Sequence, residues 1–219
     1  MIDPCLAVYG ISSTSVVVLA ASVLHAVTLW GFCLLFLLLD RFPSCRHHRL
    51  QRPKLEHLRP DSPKNLALDA VAFREQLLGT FVVVPLGVLL LTPVLAWRGN
   101  TICEDENSST KTGLILHVVG MVCGCDLIFY WTHRLLHENK WLYRNVHKQH
   151  HEYKATNVWA SEYFGVVDMV LNILPGVIPA VVFGSSFRSL LWFTALRQFQ
   201  TVQSHAGYNL PWCVCAGRD

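Results

Sequence analysis

Residues 126–151 read DLIFYWTHRLLHENKWLYRNVHKQHH, and the histidines of this stretch decide how the rest of the chain is read. His133 and His137 stand four apart, a helical spacing that puts two imidazoles on one face with Cβ atoms ~5–6 Å apart. His147 and His151 repeat that spacing and His150 follows His147 by three, so one turn presents three rings. Neutral imidazole offers a nitrogen lone pair without adding charge to a low-dielectric site, which suits a transition metal. Asp126 precedes His133 on the same helical face and is expected to orient a ligand ring by accepting its second N–H. A zinc protease is disfavoured, because HExxH requires a glutamate where Arg134 stands. His25, His47, His48, His57 and His117 lie apart from this cluster and read as ordinary surface or hydrogen-bonded residues.

The sequence outside this stretch is strongly apolar. Of 219 residues, 52% are hydrophobic and 15% charged, whereas a soluble domain carries about 25% charged residues. The apolar residues come in blocks, as in a polytopic membrane protein. Residues 14–39 hold no charge over more than the ~20 residues needed to cross a bilayer. The length of that run, and Asp3 with no Lys or Arg before it, argue against a cleavable signal peptide. Residues 41–64 carry Arg41, Arg46, Arg49, Arg52, Lys54, Arg59 and Lys64 against Glu56 and Asp61, which makes this loop cytosolic. Residues 77–97 form a second span, bent at Pro85 and Pro93. The acidic loop 98–112 contains the sequon at Asn107 and belongs on the luminal side.

Residues 113–131 then return through the membrane and run into the first histidine pair. Arg134, Lys140, Arg144, Lys148 and Lys154 face only Glu138 and Glu152, so this region is again cytosolic, with Trp131, Trp141 and Tyr143 as interfacial anchors. Residues 163–184 and 187–202 read as a helical hairpin whose first arm, with Asp168, Asn172, Pro175 and Pro179, is broken or partly inserted. Asp168 would cost ~2.5–3.5 kcal/mol in hydrocarbon, so it is expected against protein, in a cavity, or at the span's mouth. The hairpin brings His205 back to the side of the other histidines. The fold class that follows is an all-α polytopic membrane protein of about four to five transmembrane or re-entrant helices under a cytosolic histidine-rich cap. The eight cysteines lack CxxC spacing and read as buried thiols within spans, although Cys5 and Cys103 share one side and could pair.

Three segments together resemble the fatty acid hydroxylase superfamily of membrane di-iron enzymes: DLIFYWTHRLLH (residues 126–137), HKQHHEY (147–153) and ALRQFQTVQSHAGYNLPW (195–212). The last looks most like the 4-methylsterol monooxygenase and cholesterol 25-hydroxylase branch. The likeness covers about residues 113–212, a hydroxylase-like domain between the membrane spans and basic loop of 1–112 and a divergent tail, 213–219. It implies iron ligands at His133, His137, His147, His150, His151 and His205, and two irons at the cytosolic surface of the endoplasmic reticulum membrane. It further implies electrons from NADPH or NADH through a reductase and a cytochrome b5-type carrier. The reaction implied is hydroxylation, at a C–H bond, of a sterol or other lipid entering from the bilayer; no nucleic acid is expected to bind. A further HxxHH box occurs downstream of the Pro-Trp motif in the family, whereas this sequence reaches Asp219 with no histidine after His205. That departure raises the expectation of a truncated chain that binds metal without hydroxylating, and the alternative of a lipid- or partner-binding membrane protein. Cys213 and Cys215 are poor replacements for the ligands. A metal transporter is disfavoured, since only His25, His117 and Asp168 lie in or near the spans.

Overall fold

The structure is a computed structural model, and its described residues are 13–42, 45, 48, 63–97, 110–153, 156–183 and 186–209. Most of the basic loop, the acidic loop with Asn107, Lys154, and Cys5, Cys103, Cys213 and Cys215 lie outside them. The long helices are α1 (Ser13–Leu39), α2 (Pro63–Leu78), α3 (Val84–Trp97), α4 (Lys111–Glu138), α5 (Val166–Phe183) and α6 (Phe187–His205). Among the described residues, four stretches are long and apolar enough to cross a membrane: Val18–Leu39, Lys64–Val94, Lys111–Glu138 and Val166–Phe183.

The second span begins well before the apolar run that announces it. Pro63 opens α2, at a position where a missing N–H costs nothing. The helix then carries Asp69, Arg74, Glu75 and Gln76, which conceal it from a hydropathy reading. Its polar residues have protein partners. Asp69 Oδ1 accepts from the Tyr153 hydroxyl at 2.8 Å and from Asn157 at 2.9 Å. Two turns on, Gln76 donates to the Val158 carbonyl at 3.2 Å and to Ser161 Oγ at 3.1 Å. So α2 pins the segment that follows the histidine turn.

Between α2 and α3 the helix widens into a π turn, Gly79–Val83, where the N–H of Val84 bonds back to the Gly79 carbonyl. Pro85 accounts for it. Proline has no N–H and crowds the carbonyl four residues earlier, and one wider turn absorbs the misfit. Pro93 stays inside α3, and Pro175 and Pro179 inside α5, which is one continuous helix.

Helices α4 and α5 pack closely because α4 offers Gly120 and Gly124, one turn apart. A Cβ at Gly124 would lie 3.2 Å from both Cβ and Cγ of Pro179, and one at Gly120 would lie 3.2 Å from the Phe183 ring. Small residues at such spacing are how membrane helices gain van der Waals contact without a hydrophobic driving force between them. Val118, Met121 and Cys125 of α4, Ala180 of α5 and Phe193 of α6 fill the core here. A second core joins α1 to α6 through Leu29, Cys33, Phe36 and Val202, with Phe32 set edge-on to Phe199 at 5.2 Å. Outside, Leu19, Val27, Phe81, Leu90, Ile115 and Leu116 are all more than half exposed. In water each would forgo about 25 cal/mol per Å² of apolar surface, whereas lipid removes that cost.

Candidate metal centre and its cavity

Helix α4 carries His133 and His137 on its last two turns. Asn139 then stops it and starts the next turn, its side chain accepting from the N–H groups of Trp141 and Leu142. A π turn, Tyr143–His147, aims His147 inward, and a 3-10 turn, His150–Glu152, sets the next two rings. The result is a cluster in which one ring nitrogen each of His133, His137, His147 and His151 all lie within 4.8 Å of one another. His137 Nε2 is 3.2 Å from His133 Nε2, and His151 Nε2 is 3.1 Å from His137 Nε2 and 3.0 Å from His147 Nε2.

The outer nitrogens decide what faces inward. His147 Nδ1 donates to Asp168 Oδ2 at 2.8 Å, with both side chains fully buried. Its Nε2 must therefore turn a lone pair toward the cluster. Asp168 sits in the first turn of α5, where the helix dipole favours its charge, and Asn172 donates to its Oδ1 at 2.9 Å.

His150 and His205 form a separate pair. His205, at the end of α6, donates from Nδ1 to the Thr201 carbonyl at 2.8 Å; His150 does the same to the Tyr163 carbonyl at 3.3 Å. Their Nε2 atoms, 3.2 Å apart, then present lone pairs to each other. Two facing lone pairs are satisfied by a cation or a proton. Burial, with His205 beside it, pushes the His150 ring down to about 3, and burial also lowers His205, so a proton is disfavoured there. The donor set fits a metal at the four-ring group and a ligand pair for a second one.

All six histidines expected from the sequence thus meet in one region, divided four and two. Asp126 does not join them. Seven residues separate it from His133, ~10 Å along a helix and too far for a hydrogen bond. Its carboxylate instead accepts from Arg197 at 3.2 Å at the edge of the bundle, and Asp168, from a different helix, orients the ring.

A cavity of about 870 Å³ opens beside the rings. His133, His150, His151 and His205 line one part of it, and Leu24, Leu91, Met169, Ile173, Val177 and Leu190 line others. Its wall also includes His25, Glu162 and Gln198, which the sequence alone does not bring together. His25 appeared as a lone residue within an apolar span, and Glu162 and Gln198 lie far from it in sequence.

Residues 118–218 match the family model described as fatty acid hydroxylase. Over 89 residues the chain is 38% identical to methylsterol monooxygenase 2-2 of Arabidopsis thaliana, an overlap of 41% of this chain and 33% of that protein. It is 43% identical over 88 residues to very-long-chain aldehyde decarbonylase GL1-11 of Oryza sativa subsp. indica, covering 40% of this chain and 32% of that one. A putative methylsterol monooxygenase of Dictyostelium discoideum is 37% identical over 87 residues, 40% of this chain and 32% of its own. The chain spans about a third of the length of these curated relatives. No solved structure matches it.

Proposed function

We propose, from the premise that residues 118–218 make this chain a member of the fatty acid hydroxylase superfamily, that it is a membrane-bound iron oxygenase acting on a lipid C–H bond, with a sterol as substrate. The observation that carries this is the opening of both imidazole groups onto one largely apolar cavity among membrane helices. Cavities of roughly 300–1,000 Å³ enclose most of the surface of a drug-sized ligand, and a sterol is of that size. Relatives named as methylsterol monooxygenases favour a sterol over other lipids.

His133, His137, His147 and His151 would hold one iron through Nε2, and His150 with His205 would contribute to a second. Bound there, iron supplies the oxygen chemistry that an unactivated C–H bond requires. The protein contributes the rest. Asp168 fixes the tautomer and angle of His147, while Tyr163 and Thr201 do so for His150 and His205. The apolar walls hold the lipid and keep water from the reacting carbon. Converting R–H and O₂ to R–OH and water consumes two electrons and two protons, so a reductant must dock nearby. Lys140, Arg144 and Lys148 are exposed next to the rings and suit the acidic face of a cytochrome b5-type carrier reduced by NAD(P)H. This arrangement corresponds to a multi-pass protein of the endoplasmic reticulum with the rings on the cytosolic side. The comparisons give no support to the reading of an inactive, binding-only relative.

The test purifies the full chain in detergent and loads it with iron. It then supplies a 4-methylsterol, NADPH and the electron carriers, with products read by mass spectrometry. A sterol product carrying oxygen from ¹⁸O₂ is expected. Iron bound and reduced, with sterol returned unchanged, would overturn the oxygenase reading.

A further inference from the structure

His25 of α1, Glu162 of the 3-10 turn Val158–Glu162 and Gln198 of α6 converge on the cavity wall. Gln198 Nε2 lies 3.1 Å from Glu162 Oε1 and 2.6 Å from His25 Nδ1, and His25 Nε2 lies 3.5 Å from Glu162 Oε2. Polar groups brought from distant parts of a chain to a site between membrane helices are costly there, and such groups mark ligand positions. A few convergent polar groups in a largely apolar pocket are what orients a ligand. Leu24, Met169 and Ile173 supply apolar wall in the same cavity. The trio stands apart from the metal ligands. Gln198 precedes His205 by seven residues on one face of α6, ~10 Å along the axis.

The chemistry of the trio selects its guest. Glu162, when ionised, only accepts hydrogen bonds, whereas Gln198 and His25 can also donate them. A carboxylate would be repelled by Glu162. An aldehyde or hydrocarbon has no hydrogen to offer it. A hydroxyl donates to the carboxylate and accepts from His25 Nε2, whose contact with Glu162 is the long one at 3.5 Å, and it carries no charge into the membrane. We propose that His25, Glu162 and Gln198 bind the hydroxyl group of an uncharged lipid alcohol, anchoring one end of it in the cavity. This deepens the lipid-oxygenase reading, on which it rests for the occupant being a lipid.

Equilibrium binding to the full chain in lipid nanodiscs tests it, with 5α-cholestan-3β-ol against 5α-cholestane, which lacks only the hydroxyl, and 1-octadecanol against octadecane. A hydrogen bond to a charged group predicts a preference of about tenfold or more for the alcohol of at least one pair. Glu162→Gln and Gln198→Leu should each erase most of that preference, leaving affinity for the hydrocarbon and metal per chain unchanged. Should Gln198→Leu fail to fold, the near-isosteric Glu162→Gln carries the test. Equal affinity within both pairs, or binding of no probe, would overturn the proposal. A parallel fall for alcohol and hydrocarbon in the variants would do the same, by assigning the trio to helix packing. Preference without any oxidised product leaves the anchor standing and removes the oxygenase reading; product without preference does the reverse.

Discussion

Asp168 holds His147 from a different helix, Oδ2 to Nδ1 at 2.8 Å, with neither side chain exposed to solvent. Asp168→Asn keeps the volume while weakening the acceptor and removing its charge. Loss of such a partner typically lowers metal affinity 10–100-fold, roughly the effect expected here. Competition against a chelator measures it, and unchanged affinity would reduce Asp168 to a packing residue.

That relationship also shows where sequence reading reaches its limit. The histidine pairs were legible because helical spacing is local: His133 with His137, and His147 with His151, need no knowledge of tertiary structure. The same logic points to Asp126, on face alone, but the rise of the helix puts it out of reach. Asp168 stands out as a charge in an apolar run, yet nothing local assigns its partner on the turn after α4. The four spans were visible as apolar blocks. The start of α2 was hidden, because Asp69 and Gln76 look like loop residues until Tyr153, Asn157 and Ser161 answer them. His25 and Gln198 show in the sequence only as polar residues within apolar segments, and nothing local joins them to Glu162.

The contact of Gly124 with Pro179 predicts a graded response. Gly124→Ala puts a methyl 3.2 Å from the Pro179 ring, so the two helices must part by only a few tenths of an ångström and the smaller loss of stability is expected. Gly124→Leu cannot be accommodated and should cost about 1–3 kcal/mol, the usual range for overpacking. Denaturation in mixed micelles reads the difference. Equal stability of the two variants would mean that α4 and α5 do not depend on this approach.

Acid should destabilise the metal-free fold. His150 is lowered from 6.5 to about 3 and His205 is lowered too. As pH falls below 6.5 the unfolded chain takes up protons that the folded chain refuses, so ν for the unfolded state exceeds that of the native state and stability falls. The loss should run from about 6.5 down to about 3, where folded His150 finally protonates. Thermal unfolding in detergent with chelator present, at stepped pH, follows it. His150→Asn should flatten the profile; an unaltered profile would show that other groups carry the acid response.

Electron delivery should depend on the exposed basic face. Replacing Lys140, Arg144 and Lys148 together by Gln should slow reduction by a cytochrome b5-type donor. It should also weaken the rate's salt dependence, since exposed charges are screened over ~8 Å at physiological ionic strength. Stopped-flow reduction at several ionic strengths measures both. Identical rates and salt slopes in variant and parent would place docking elsewhere.

The division of the imidazoles into four and two predicts two unequal metal affinities. His133, His137, His147 and His151 can saturate one ion by themselves. His150 and His205 offer two nitrogens 3.2 Å apart, and no third ligand stands with them among the described residues. The first ion should therefore bind tightly and the second weakly, because each lost ligand removes coordination energy that water replaces poorly. Titration with Co²⁺, followed by its d–d absorption and by metal per chain, resolves the two steps. His133→Ala with His137→Ala should abolish the tight step. His205→Ala should remove the weak step and leave the tight one within a few-fold of the parent, since His205 makes its ring contact with His150. Two steps of equal affinity, or loss of both on removing His205, would show that the six rings act as one group.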